Sequence, residues 1–311
     1  MRRTAKGFGF LCSTLNDPRR IRLHEDETLQ AYEQRGTSDD LSEIGYDLTK
    51  LRRADTAKLV GAMQLFQEPS MQEVLLAHDR AYPLNPCITL PKPKILDHPF
   101  HELISSRRSI RNFSGNALCI PELSSLLLDA LGETGRLITS YDDDRPFYAS
   151  LRSIPSAGAL HPTDLFVVIL QGGLAQGVYH YDVPEHLLEF VKALSEREIK
   201  TLFAAFPIHP QVVDLAKASA IFFISSKFWR ARAKYGPRGY RYCLLEAGCA
   251  CQNLSLASVA LGLAHVVLGG FYDDEVHAFL GMDGVEHAVI VAMAVGGLVA
   301  EPAKESHDVE F

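Results

Sequence analysis

A lysine and a tyrosine stand side by side at positions 234 and 235, directly before residues 239–263, the longest stretch with helical spacing. A neutral amine can remove a carbon-bound proton, and an adjacent phenol can orient the reacting ring or relay the proton. The ordinary pKa of lysine is about 10.4, so burial or a nearby cation must lower this pKa before the amine can act as a base near neutral pH. Three arginines are close enough in sequence to do so: Arg230, Arg232 and Arg238. From these residues alone, the commoner interpretation is a surface lysine that closes a helix.

A second group of polar residues, RRSIRNF at 107–113, suits an anion. The planar guanidinium groups of Arg107, Arg108 and Arg111 match the oxygens of a phosphate, and Ser109 adds a hydroxyl donor. For the RRS triplet alone, a solvated basic turn is the commoner interpretation.

Two further segments indicate where backbone meets a ligand. Residues 155–162, PSAGALHP, place small residues between two prolines and predict a rigid turn with exposed N–H groups. Such a turn can lie flat against a planar ligand, although a tight loop before a strand is commoner. Gly269 and Gly270 follow a short apolar strand, so the lysine–tyrosine pair and this glycine pair bracket the long helix and frame a ligand site.

The surrounding pattern predicts the elements that must position these residues. The helix at 239–263 is apolar nearly all round, which predicts burial on most sides and a central place in the fold or in a dimer. Residues 165–170 predict a central strand, 177–182 an exposed strand, and 140–148 an acidic loop. Further strands are predicted at 220–225, 264–268 and 287–295, and further helices at 71–81, 101–106, 121–134, 228–235 and 273–280. This mixture predicts an α+β fold.

The prolines at 83, 86, 91 and 93 predict an extended linker and set a domain boundary. Residues 1–95 are expected to form a partly helical arm or lid, and residues 96–311 the main domain with a polar tail. The chain has 311 residues, of which 47% are hydrophobic and 22% charged, an ordinary globular composition.

Composition also excludes several classes of function. A net charge of −7 gives no support to nucleic-acid binding. No uninterrupted apolar run reaches the roughly 18 residues of a membrane span. The six cysteines are too scattered for a disulfide framework or a metal clip, which favours a reducing cytoplasm and no metal. The dinucleotide, P-loop and zinc-protease motifs are absent.

Four segments in one order carry a resemblance to a known family: residues 107–113, 155–162, 234–254 (KYGPRGYRYCLLEAGCACQNL) and 268–271 (LGGF). Together they resemble the nitroreductase superfamily of flavin mononucleotide enzymes, and most closely its SagB-type, thiazole/oxazole-forming dehydrogenase branch. The similarity covers roughly residues 96–300, and YDLTK at 46–50 looks like the N-terminal arm of that branch.

The resemblance implies a nitroreductase-like α+β sandwich, with a mixed central sheet flanked by helices, that forms a homodimer with FMN at the interface. Arg107, Arg108, Ser109 and Arg111 fall where the family holds the flavin phosphate and ribityl chain. Gly269 and Gly270 fall near ring atom N5. The loop that covers the ring, usually from the partner subunit, corresponds to Pro155, Ser156, Ala157, Gly158 and Leu160. Lys304 is a candidate phosphate contact.

Lys234 and Tyr235 match the pair that azoline dehydrogenases use, as base and proton relay. The implied reaction oxidises thiazoline or oxazoline rings of a ribosomal or carrier-bound peptide, with hydride passing to flavin N5 and dioxygen as final acceptor. A cyclodehydratase complex is an expected partner. Two alternatives stay open: an NAD(P)H-dependent nitro or quinone reductase, and a non-catalytic scaffold of such a complex.

Overall fold

The computed structural model describes residues 41–51, 53, 60–62, 64, 68–76, 80–94, 97–142 and 145–299. The chain divides into two compact units, Met1–Lys50 and Leu51–Phe311. Helix α1, Leu41–Leu48, belongs to the first unit. The boundary expected at residue 95 remains a prediction. Cys12, the polar segment at 26–36, the C-terminal tail and Lys304 lie outside the described residues.

The second unit alternates helices and strands. Its described helices are α2 (Pro69–Leu76), α3 (Phe100–Ser106), α4 (Ile120–Leu131), α5 (Glu196–Ala204), α6 (Phe228–Tyr235), α7 (Arg238–Ala260) and α8 (Asp273–Leu280). Its strands are β1 (Cys87–Thr89), β2 (Glu133–Asp142), β3 (Arg145–Arg152), β4 (Thr163–Ile169), β5 (Gly177–Asp182), β6 (Leu187–Ala193), β7 (Ala220–Lys227), β8 (Leu263–Leu268) and β9 (His287–Gly297).

Seven strands form the main sheet in the order β1-β6-β5-β4-β7-β9-β8, so β4 is central as its apolar run predicts. Alternate residues of β4 enter two different cores. Leu165 and Val167 pack with apolar residues of α4 and α7, whereas Phe166 and Val168 pack with those of α5 and α8. The α+β sandwich is therefore confirmed, with helices on both faces of the sheet.

Three expectations about the strands are corrected. Every strand pair of the main sheet is antiparallel, so the sheet is not mixed. Residues 177–182 form a strand, but it is buried along its length because β4 and β6 pair on both sides. The acidic stretch at 140–148 belongs to the β2–β3 hairpin, in which Ile138 pairs with Tyr148. Such β-branched and aromatic cross-strand pairs stabilise strands despite nearby acidic residues.

Helix α7 runs from residue 238 to 260, close to the predicted 239–263, and one face of it is exposed. Tyr240, Leu244 and Gly248, spaced four residues apart, are exposed along one face, together with Leu245. By length and composition α7 could cross a membrane; half of its most apolar window is buried inside the protein, and core helices meet the same criterion.

A row of alternating charges crosses the interior beside β4. Glu189 accepts from Arg80 Nε at 2.9 Å and pairs with His180 Nδ1 at 2.8 Å. His180 Nε2 lies 2.6 Å from Asp164, whose other oxygen lies 2.8 Å from Lys227 Nζ. Both ring nitrogens of His180 face carboxylates, so both donate and the ring is an imidazolium. These five residues are called the charge ladder below.

The charge ladder predicts a pH-dependent stability. Burial opposes protonation of His180, but Asp164 and Glu189 outweigh it and raise its pKa from 6.5 to about 9. The folded chain therefore binds a proton that the unfolded chain releases above pH 6.5, and stability falls as pH rises. We expect a loss of about 2 kcal/mol between roughly pH 6.5 and 8.5 in urea unfolding experiments. His180→Gln should flatten this slope, and an equally steep slope in the variant would contradict the assignment.

Candidate active site

The lysine–tyrosine pair and the 155–162 loop meet because of the strand register. Thr163 at the start of β4 pairs with Ser226 near the end of β7. The loop leads directly into β4, and α6 begins directly after β7, so loop and helix leave the sheet at the same end. Lys234 and Tyr235 are the last two residues of α6. The sheet therefore brings two segments together that are more than 70 residues apart in sequence.

Gly158 lies directly against both side chains of the pair. A Cβ atom built on Gly158 would lie 2.7 Å from the Tyr235 hydroxyl and 2.8 Å from Lys234 Nζ. The two polar atoms are therefore no more than about 5.5 Å apart and both rest against the loop. Gly158 also has φ +66, a conformation that L side chains rarely adopt. Only glycine satisfies both conditions without displacing the pair.

The electrostatic setting of the pair suits a base. Both residues are half-buried, and burial lowers the pKa of Lys234. Burial, and secondarily Tyr242, raises the pKa of Tyr235, which keeps its phenol protonated. The expectation that neighbouring arginines act on Lys234 is not met. Arg230 donates to the Leu160 carbonyl at 2.8 Å, and Arg232 pairs with Glu286 at 3.1 Å.

Tyr242 is a residue that the sequence analysis missed. Its ring meets that of Tyr235 edge-on, with 5.0 Å between centroids, and the Arg238 guanidinium lies 5.8 Å from the Tyr242 centroid. This contact restrains the Tyr235 ring. Tyr242 lies one helical turn after Arg238, and that i, i+4 spacing is the signal in the sequence.

The arginine segment lies elsewhere in the chain, along the outer edge of β8. Ile110 N donates to the His265 carbonyl at 2.8 Å, and Ser114 N donates to the Gly297 carbonyl at 2.9 Å. Burial, followed by Arg107, lowers the pKa of His265, and both of its ring nitrogens are buried without a hydrogen-bond partner. The segment is therefore held by backbone pairing, which leaves its side chains available.

The residues on this edge fit an FMN phosphate and ring. Arg108 and Ser109 are exposed, as is Arg111. The arginine side chains donate only to local carbonyls, such as Arg108 to the Ser105 carbonyl at 2.9 Å, and they form no ion pair with a carboxylate in the described part of the chain. Gly269 and Gly270 follow β8 and have no heavy atom within 4 Å of a built Cβ, so a flat ring can approach them.

One chain does not bring all the predicted site residues into a single pocket. In the sheet, β7 and β9 separate β4 from β8, which corresponds to roughly 14 Å between the two strands. The 155–160 loop precedes β4, whereas the arginine segment lies beyond β8. Pro155 and Gly158 are exposed, while the Leu160 side chain is fully buried and its carbonyl accepts from Arg230. Any cofactor contact by Leu160 is therefore limited to its backbone N–H.

Several known proteins are similar in sequence to this chain. The MJ1384 protein of Methanocaldococcus jannaschii is provisionally named a nitroreductase. Its sequence is 32% identical to this chain, in a match that covers 60% of this chain and 87% of MJ1384. The trifolitoxin-processing protein TfxB of Rhizobium leguminosarum bv. trifolii is 33% identical over 36% of this chain, but the match spans only 30% of TfxB. The microcin B17-processing protein McbC of Escherichia coli is 27% identical over 47% of this chain and 54% of McbC.

Solved structures share the fold. A protein from Anabaena variabilis that is provisionally named a nitroreductase is 25% identical to this chain. The two structures superpose with a TM-score of 0.54, over 71% of this chain and 43% of the Anabaena chain. The E. coli microcin synthetase McbBCD complex, solved with truncated pro-MccB17, contains a chain 21% identical, with a TM-score of 0.51 over 81% of this chain and 99% of that one. The nitroreductase family model matches residues 104–297, which hold the arginine segment, the loop, the lysine–tyrosine pair and the glycine pair. This chain therefore belongs to the nitroreductase family of oxidoreductases, and its cofactor is FMN.

Proposed function

We propose that this protein is an FMN-dependent dehydrogenase that oxidises thiazoline or oxazoline rings in a peptide to thiazole or oxazole. The observation that carries the proposal is the contact of Gly158 with both Lys234 and Tyr235, which places an amine of lowered pKa beside a neutral phenol. Aromatising an azoline removes a proton and a hydride from adjacent ring atoms. A reductase that only receives hydride from a nicotinamide has less need of such a base.

Lys234 acts as the general base in this proposal. Its half-buried amine takes the carbon-bound proton, because burial increases the neutral fraction at a given pH. FMN, when bound, supplies the acceptor for the hydride. Tyr235 donates a hydrogen bond that orients the azoline ring, since its raised pKa keeps the phenol protonated. Dioxygen is the proposed final electron acceptor.

The names of two relatives support a peptide substrate. TfxB and McbC are named for processing trifolitoxin and microcin B17. We extend this to a ribosomal or carrier-bound peptide, with a cyclodehydratase complex as partner. We also propose a cytoplasmic homodimer in which each site combines the arginine segment of one subunit with the 155–160 loop of the other. The exposed apolar stripe of α7 offers a face for that contact.

The test uses purified protein loaded with FMN and a synthetic peptide that contains a thiazoline or an oxazoline. Mass spectrometry should show the loss of two hydrogens per ring, with dioxygen consumed and no nicotinamide added. No mass loss on either ring type, despite full flavin occupancy, would reject the proposed activity. Protein that binds a cyclodehydratase but cannot be reconstituted with FMN would support the scaffold alternative.

The resemblance to MJ1384, which extends over 87% of that protein, favours a second candidate: an NAD(P)H-dependent reductase of nitro compounds or quinones. Anaerobic titration with NADPH separates the two candidates. Prompt bleaching of the flavin absorbance by NADPH, followed by turnover with a quinone, would favour the reductase. Flavin that is bleached by the azoline peptide, and only slowly by NADPH, would favour the dehydrogenase.

The arginine segment yields a prediction for cofactor affinity. Replacing Arg108 or Arg111 by glutamine removes a charged donor that has no carboxylate partner among the described residues. A hydrogen bond to a charged group contributes about 1.5–3 kcal/mol, so each variant should bind FMN at least about tenfold more weakly. Fluorescence titration of apoprotein with FMN measures this. The matched control is Arg197→Gln, on the exposed face of α5; equal losses in the control would refute the assignment.

A further inference from the structure

A partly open cavity of about 80 Å³ lies beside the 155–162 loop, next to the candidate active site but separate from it. Ala159, His161 and Pro162 of the loop line it, whereas Lys234 and Tyr235 do not. A single water molecule requires about 10–15 Å³ of cavity volume, so this cavity has room for several waters or one small ion.

The polar lining of the cavity carries a surplus of positive charge among the described residues. Arg152 and Lys227 line it, together with the protonated His180, against one carboxylate, that of Asp164. Asp164 is already paired with His180 and Lys227. Glu246 accepts from the backbone N–H of Thr163 at 3.3 Å and burial raises its pKa, and Glu189 is paired with Arg80 and His180. Arg152 forms no salt bridge with a carboxylate in the described part of the chain.

Several buried polar atoms at the cavity have no partner. These are Arg152 Nε, His161 Nδ1 and the hydroxyl of Thr163, a residue only 3% exposed. His161 Nε2 donates to the Ser150 carbonyl at 2.6 Å, so Nδ1 of the neutral ring is an acceptor and does not contribute to anion binding. The Arg152 guanidinium and the Thr163 hydroxyl are unpartnered donors, and the Lys227 ammonium, which is already paired with Asp164, adds a third; together they match the oxygens of a compact anion. Leaving the Arg152 and Thr163 donors buried and unpaired is costly, which favours a ligand in this cavity.

We propose that this cavity binds a small oxyanion, such as phosphate or a carboxylate, with Arg152 as its main contact and Lys227 and Thr163 as supporting donors. The anion completes the hydrogen bonding of the cavity and stabilises the loop above it. Two loop residues, Ala159 and His161, have left-handed backbone conformations with φ 53 and φ 45. Binding here does not depend on the proposed azoline chemistry, because it uses residues outside the active site.

Trp229 provides a readout through Arg230, which lines the cavity: Trp229 is the single tryptophan of the chain, and the Arg230 guanidinium lies 5.6 Å from its ring centroid. Protein saturated with FMN is titrated with sodium phosphate and, separately, sodium acetate, each against sodium chloride at equal ionic strength and pH. We expect a saturable fluorescence change with one of the two oxyanions, which identifies the preferred class. A response equal to that of chloride overturns the proposal.

Variants locate the site. Arg152→Gln should weaken oxyanion binding at least tenfold, while Arg197→Gln, an exposed control, should leave it unchanged. Unchanged binding in Arg152→Gln overturns the proposal. If that variant does not retain FMN and a native circular dichroism spectrum, Thr163→Val takes its place, with a several-fold loss expected. In the parent protein, the anion should slow amide hydrogen exchange in residues 159–166; protection confined to residues 107–111 would also overturn the proposal.

Discussion

Lys234→Ala should abolish azole formation while the protein keeps its FMN. General-base catalysis contributes roughly 10²–10⁴-fold to rate, so azoline oxidation should fall by at least about two orders of magnitude. Lys234 is only half-buried and the arginine segment lies beyond β8, so fold and flavin content should survive. The measurement is single-turnover bleaching of the flavin by an azoline peptide, together with flavin absorbance per mole of protein.

The matched control is Lys200→Ala, which removes an exposed lysine of α5 without changing the rate. The parent rate should rise with pH as Lys234 loses its proton, with a midpoint below the ordinary lysine pKa because burial lowers the pKa of Lys234. Lys234→Ala should lose this rising limb. If Lys234→Ala oxidises the azoline at the parent rate, or keeps the pH profile of the parent protein, Lys234 is not the general base.

The parts of the fold that the sequence predicted well are those with one clear local signal. Residues 228–235 and 273–280 form helices with the predicted bounds, because a glycine directly follows each helix and acidic residues open the second. The continuous apolar run at 165–170 correctly predicted strand β4 and its central position in the sheet. The ordered motifs correctly indicated the nitroreductase family, since four short segments in one order are more specific than any of them alone.

What escaped prediction depends on contacts between distant segments. Burial of β5 follows from its pairing with β4 and β6, which alternation within six residues does not reveal. The charge ladder joins Arg80, Glu189 and Asp164, three residues from different parts of the chain. The exposed face of α7 is also apolar, so composition alone does not reveal which face of the helix is exposed. The lowered pKa of Lys234 comes from burial rather than from arginines nearby in sequence.

Gly158→Ala should reduce azoline oxidation by about 10²-fold, since displacements near 1 Å at a reacting group have effects of that size. The new methyl group would meet the Tyr235 hydroxyl at 2.7 Å and Lys234 Nζ at 2.8 Å. Both atoms are the far ends of flexible side chains, so they move aside instead of unfolding the protein. The stability cost is then the left-handed backbone alone, about 1–2 kcal/mol.

Gly115→Ala separates backbone strain from displacement of the pair. Gly115 has φ +77, close to the +66 of Gly158, but nothing lies within 4 Å of its built Cβ. Both variants should therefore lose similar stability in urea unfolding, while only Gly158→Ala loses activity. Equal activity in the two variants would mean that the loop does not position Lys234 and Tyr235. Because the pair, and not the flavin, would be displaced, Gly158→Ala should retain its FMN absorbance, and this distinguishes misplacement of the base from loss of the cofactor.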